Sequence, residues 1–205
     1  MIVSVAQDTG GAKDAGPWIT AAKPTFTALV DDEHLVSKLY RMVNVPTGVW
    51  IDEQGTIVRP NEVAFIDDRF KNFTGLDSRP YLNALKDWIQ NGDKSAYVMS
   101  EEKLRAKLAP RDPNFELAIA EFGLGEQLYK AGHPREAIPH FKEAQRLSPK
   151  SWNYKRQAYL LSGEREYGTT FSEEVQKAGG SKVYYTPPDL PTQPQPTSEK
   201  KDKRP

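Results

Sequence analysis

Among residue types able to carry covalent chemistry, cysteine is missing altogether. Thiol–disulfide exchange and thiol-dependent peroxide reduction both begin with a thiolate, so these 205 residues carry neither reaction by themselves. The same absence removes disulfides and thiolate zinc sites and leaves the redox compartment unread. The adjacent acids Asp31 and Asp32 are the next candidates, since two carboxylates can hold a divalent cation or divide acid–base work. At the end of an apolar run and just before a helix, they read instead as a cap and solvated charge. His34 follows them without a second ligand at matching spacing, which points to a solvated or hydrogen-bonded side chain rather than a metal ligand. No catalytic residue, metal or cofactor is expected within the chain.

The element best defined by pattern runs from Val43 to Arg59. Gly48–Ile51 is a short run of strand formers, Asp52-Glu53-Gln54-Gly55 has turn chemistry, and Thr56–Arg59 is a second β-branched run, which together predict a hairpin. Pro46 fixes its own φ and makes Val45 extended, giving a rigid elbow before the first strand. Upstream, Ile2–Ala6 reads as a strand, Pro17–Ala22 as a short helix and Phe26–Val30 as another strand. From Glu33 to Met42, residues Leu35, Val36, Leu39 and Tyr40, with Val43 beyond, recur at helical spacing. Pro60–Leu76 has no period and reads as a loop insertion carrying Phe65, Phe70 and Phe73. A helix then brings Tyr81, Leu82, Leu85, Trp88 and Ile89 to one side and stops at Asn91-Gly92.

A tyrosine-ended amphipathic helix, then Val43-Asn44-Val45-Pro46-Thr47, then a hairpin turning on Asp52–Gly55, resembles the second half of a thioredoxin-like domain. The likeness is to bacterial redoxins of the ResA and TlpA type and to their peroxiredoxin relatives. It implies that Pro46 matches the family's cis-proline, with Val45, Pro46 and Thr47 as the segment that meets an extended substrate. Because most X-Pro bonds are trans, the sequence alone leaves the isomer open. The resemblance also implies a preceding strand and a helix bearing Cys-x-x-Cys. The expectation is therefore a longer natural product with roughly 50 or more further N-terminal residues, a length set by a strand, a helix and their connections. A truncated gene is the alternative. Export depends on such a segment, and localisation stays unknown.

Phe115–Pro149 resembles one tetratricopeptide repeat. Ala118, Leu124-Gly125 and Leu128 fall in its first helix, Gly132 at its turn, Ala137, Phe141 and Ala144 in its second, and Pro149 at its end. Glu121 stands where an aromatic is usual and Leu128 where a tyrosine is usual. A single repeat leaves its outer faces bare, so Trp152, Tyr154, Tyr159, Leu160 and Leu161 are expected to form a third helix, with Thr170–Ala178 helical beyond it. The predicted fold class is α/β plus all-α. Residues 1–92 form a partial thioredoxin-like domain, 93–113 a linker with a short helix, 114–178 a tetratricopeptide-like module and 186–205 a disordered tail.

Partners follow from charge and composition. With 28 basic against 28 acidic residues there is no field to gather nucleic acid, and no apolar stretch is long enough to span a bilayer. The expected partner is a protein or peptide, and Glu121, Gln127 and Lys130 on the first repeat helix are its candidate contacts. Two functions are open. One is a member of the redoxin family lacking its cysteines, most simply an N-terminally truncated reductase; the other is a non-enzymatic scaffold that binds through its helices.

Overall fold

The computed structural model describes residues 1–108 and 112–191. These are a mixture of α and β structure with helix predominant. Strand β1 (Val3–Gln7), helix α1 (Ala12–Ala22) and strand β2 (Thr27–Asp31) form a crossover unit, and β1 and β2 pair in parallel from Val3↔Thr27 to Gln7↔Asp31. Parallel strands need such a connection because their ends lie at opposite edges of the ladder. Helix α1 begins well before Pro17, which lies inside it. The start at Ala12 follows Gly11 at φ 65°, with Asp14 placing negative charge in the first turn.

Helix α2 (Leu35–Tyr40) leads to the hairpin of β3 (Thr47–Ile51) and β4 (Ile57–Val63). The Asp52 carboxylate accepts the backbone N–H groups of Gln54 at 2.9 Å and Thr56 at 2.8 Å, while Gly55 takes φ 81°. An aspartate that caps its own turn and a glycine free of Cβ strain fix this reversal. Strand β4 runs on to Val63, past the loop start that Pro60 suggests. Gly48 pairs with Glu62 and Trp50 with Arg59, so the register shifts around Pro60. Proline's missing N–H is tolerated at such an irregularity.

Short helix α3 (Lys71–Thr74) interrupts the predicted loop, and α4 (Arg79–Asn91) packs on the hairpin. Trp50 stacks on Trp88 with centroids 5.1 Å apart, and its Nε1 donates to Tyr81 Oη at 2.9 Å. Val58, Ala84 and Tyr97 complete this buried cluster. The segment read as a linker belongs to the hairpin as well: Met99 N donates to Val58 O at 3.1 Å, and Ser95, Tyr97 and Met99 are buried. Helix α5 (Glu101–Leu108) follows it. Residues 109–111 of the predicted linker lie outside the described ones.

Helices α6 (Pro113–Lys130) and α7 (Pro134–Leu147) form an antiparallel pair, with α8 (Trp152–Ser162) against α7. Ala118, Ala137 and Ala144 are fully buried, and their small side chains let the helices close on Phe122, Phe141 and Tyr154. A Cβ on Gly125 would lie only 2.6 Å from Phe141 Cε1, so glycine is required by approach rather than by torsion. Helices α9 (Phe171–Lys177) and α10 (Ser181–Tyr184) add Val175 and Tyr184 to a cluster with Trp152.

Residues 186–191, assigned by composition to a disordered tail, run back across the hairpin. Leu190 packs on the Trp50 cluster, Asp189 N donates to Glu62 Oε1 at 3.3 Å, and the buried Arg59 guanidinium donates to Asp189 O. One apolar anchor and one buried cation in need of acceptors outweigh the polar composition here. Residues 192–205 lie outside the described ones.

Candidate functional site

Two features join the first hundred residues to the helices, and both involve positions singled out in the sequence. The first is the loop that precedes β3. Its carbonyls are taken one after another: Tyr40 O and Arg41 O by Asn61 Nδ2 at 2.8 and 2.9 Å, Met42 O by Asn153 Nδ2 at 3.1 Å, and Val43 O by Asn153 N at 3.2 Å. Asn44 O accepts from Thr47 Oγ1 at 2.6 Å, and Asn44 Nδ2 donates to Tyr184 O. The helices therefore grip the loop at both α8 and α10. The Val45–Pro46 peptide is cis. Pro46 is exposed, Val45 and Thr47 are half-buried, and Pro46 O accepts from Ala64 N at 3.2 Å.

The second feature is a buried polar cluster contributed by the end of β1, the start of α2 and the middle of α6. Thr9 Oγ1 donates to Glu126 Oε1 at 3.0 Å and lies 3.1 Å from His34 Nε2. His34 Nε2 is 3.4 Å from Glu126 Oε1, and Lys38 Nζ is 3.5 Å from Glu126 Oε2. His34 is 1 % exposed and Glu126 2 %. With the single hydroxyl proton of Thr9 spent on Glu126, His34 Nε2 is the protonated nitrogen donating to Thr9. His34 Nδ1 is then the bare one, and it has no hydrogen-bond partner among the described residues.

Burial dominates the electrostatics of this cluster. It lowers the His34 pKa from 6.5 to about 4; Asp31 and Asp8 pull upward, while Lys38 and Lys130 add to the depression. Burial likewise raises the Glu126 carboxyl, against the opposing pull of Lys38, Thr9 and Lys130. His34 is therefore neutral at pH 7, and its approach to Glu126 is a contact of a neutral ring. The threonine proton is directed at the carboxylate rather than at the imidazole, so the three side chains do not form a hydroxyl–imidazole nucleophile pair. The arrangement is a tie between layers, completed by the edge of His34 against Phe122 with centroids 5.6 Å apart.

Asp31 serves as the cap of α2, its two oxygens accepting Leu35 N at 3.0 Å and Val36 N at 2.7 Å. Asp32 meets Lys130, whose Nζ lies 2.8 Å from Asp32 O and 3.5 Å from Asp32 Oδ2. Lys130 is thus turned toward the strands. Glu121 is paired across the helix hairpin with His140 Nδ1 at 2.7 Å, and Gln127 is exposed. The three candidate contacts on α6 consequently do not converge on one groove. Sequence reasoning passed over Glu126, although its place one turn after Phe122 and beside Gly125 puts a carboxylate on the buried stripe of α6. Asn44, Asn61 and Asn153 were passed over too.

Between the loop, β4 and helices α8–α10 lies a cleft of about 960 Å³ whose floor includes Val43, Thr47, Val63, Trp152 and Tyr184. A shallower hollow of about 540 Å³ sits at the far end of the parallel ladder, around Met1, Ile2 and Phe26. Among the described residues no three His, Asp or Glu side chains are grouped to hold a metal ion, and no helix is long and apolar enough to cross a membrane. Comparison with protein-family models, with curated proteins and with solved structures found no match to the chain.

Proposed function

We propose that residues 1–99 are the later part of a redoxin-type, thioredoxin-like domain. In this reading the thiol chemistry resides on a strand and a helix supplied from outside the 205 residues, and α6–α8 are a tetratricopeptide-type attachment. The complete assembly is a thiol–disulfide or peroxide reductase, and Val45, Pro46 and Thr47 meet its extended substrate. One observation carries this reading: the strands form two separate two-stranded ladders, so β1 and β3 each have only one partner among the described residues. A strand placed between them would join the ladders into one sheet. Apolar side chains stand exposed in the same region, among them Ile2, Val3 and Leu29, with Trp18 of α1 79 % exposed.

The helices have a defined part in this reading. By holding the carbonyls of Met42 and Val43 from α8 and the Asn44 side chain from α10 they fix the loop that carries Pro46, and positioning groups of that kind preorganise a binding segment. The test is to express the chain with whatever residues its gene encodes in frame upstream, and to assay insulin-disulfide and peroxide reduction. A Cys-x-x-Cys segment and turnover are expected. A native mass of 23.1 kDa, with strong hydrogen-exchange protection through both Val3–Gln7 and Thr47–Ile51, would overturn the proposal.

A second reading, a scaffold without enzymatic activity, is favoured by Leu117 and Leu124, which are exposed two turns apart on α6 beside Gln127. Co-purification of a partner that is lost on Leu117→Asp/Leu124→Asp substitution, together with an inactive full-length product, would select it.

A further inference from the structure

We infer that the cleft between the Pro46 loop and helices α8–α10 binds an acidic peptide segment. Five lysines line it: Lys107, Lys150, Lys155, Lys177 and Lys182. The three carboxylates on its wall are already engaged. Glu62 accepts from the Arg59 guanidinium at 2.8 Å and from Lys107 at 3.2 Å. Glu174 stands 3.2 Å from Lys155 and 3.7 Å from Lys177, and Asp189 is 3.9 Å from Lys107. Lys150 and Lys182 are left without an ionic partner among the described residues. The cleft therefore has positive charge to spare in a chain whose overall charge is balanced.

The walls decide what kind of anion fits. Val43, Val63, Trp152, Val183 and Tyr184 give the cleft an apolar lining beside the ammonium groups. At about 960 Å³ the space is at the upper end of the roughly 300–1,000 Å³ of small-ligand pockets. A bare phosphate would touch the lysines and leave the apolar wall wet. A chain segment alternating carboxylates with apolar side chains satisfies both, and the lysines supply charge complementarity and speed its approach.

The test is fluorescence anisotropy with the whole 205-residue chain and a labelled short peptide alternating glutamate and leucine. The matching lysine–leucine peptide and inorganic phosphate serve as comparisons. Binding of the acidic peptide is expected, with affinity falling about tenfold in Lys150→Glu/Lys182→Glu, since tenfold corresponds to about 1.4 kcal/mol. The control Lys13→Glu/Lys86→Glu changes net charge equally at exposed positions away from the cleft and should stay within about twofold of the parent. If the charge reversal disturbs folding by circular dichroism, Lys150→Gln/Lys182→Gln is read in its place. No binding at millimolar peptide, equal loss in both double variants, or full displacement by millimolar phosphate would each overturn the inference.

Discussion

Removing the hydrogen bond between Thr9 and Glu126 tests whether the strands and the helices form one cooperative structure. The bond spans 117 residues of sequence, is 3.0 Å long and is buried. Hydrogen bonds to charged groups contribute about 1.5–3 kcal/mol, and a buried partner left unsatisfied costs about 1–3 kcal/mol. Thr9→Val deletes the donor at nearly constant shape, and Glu126→Leu deletes the acceptor. Each single change is expected to lower stability by about 2 kcal/mol. Replacing both partners by apolar groups leaves no orphan between Thr9 and Glu126 but takes from His34 Nε2–H both acceptors in its reach, so the double variant should cost about 2.5 kcal/mol rather than the roughly 4 of the two singles added. The coupling energy is then about 1.5 kcal/mol. In a chain of this size, 1.5 kcal/mol corresponds to roughly 3–6 °C in Tm. Urea denaturation followed by tryptophan fluorescence measures it, because Trp50 and Trp88 report on the hairpin cluster and Trp152 on the helices. Single-variant losses that add within about 0.5 kcal/mol, or separate transitions for the two parts in the parent chain, would refute the reasoning.

Three further outcomes are expected. His34, at about 4 when folded against 6.5 as its ordinary value, binds fewer protons folded than unfolded in that window. Its contribution is complete above pH 6.5 and is lost as pH falls toward 4, amounting to at most about 3 kcal/mol at 1.36 kcal/mol per pH unit. Glu126, shifted upward, works in the opposite sense and blunts the slope, so the comparison is between parent and His34→Asn in urea titrations at pH 7.5 and 5; an equally steep loss in both would count against a buried neutral imidazole. Gly125→Ala brings a methyl against Phe141, which is fully buried and cannot swing away, and should cost about 1–3 kcal/mol by thermal melting; an unchanged Tm would show that α6 and α7 separate freely. The 205-residue chain by itself should show no reduction of insulin disulfides or peroxide with any thiol donor, since it has no sulfur nucleophile, and turnover above a cysteine-free control protein would contradict this.

Local chemistry made much of the fold legible. The Asp52–Gly55 turn announced the hairpin because the aspartate and the glycine act within a few residues of themselves. The spacing of Ala118, Gly125, Ala137, Phe141 and Ala144 announced the α6–α7 pair because helix packing repeats with the helical period. What stayed hidden depends on partners distant in sequence. Pro60 looked like a strand breaker, and only the register shift opposite Gly48 and Trp50 shows why β4 passes through it. Glu126 was passed over because the groups that enclose it, Thr9, His34 and Lys38, are distant in sequence. Asn153 serves the Pro46 loop from 111 residues away, and an asparagine near a helix start reads locally as capping. The residues from Thr186 to Leu190 were judged by composition, which cannot register one leucine reaching the Trp50 cluster.

The same strap gives the chain a built-in order of assembly. Arg59 finds Glu62 three residues later, Tyr97 O 38 residues later and Asp189 O only 130 residues later. At a translation rate of roughly 5–20 residues per second, the last acceptor is synthesised about 7–26 s after Arg59 itself. Through that interval a nascent hairpin carries a guanidinium short of one acceptor beside an incompletely covered Trp50. Quality control of the growing polypeptide by chaperones therefore has a defined window. A ribosome stalled before Asp189 should display the hairpin in a form that proteases still cut, and one stalled well after Leu190 should not.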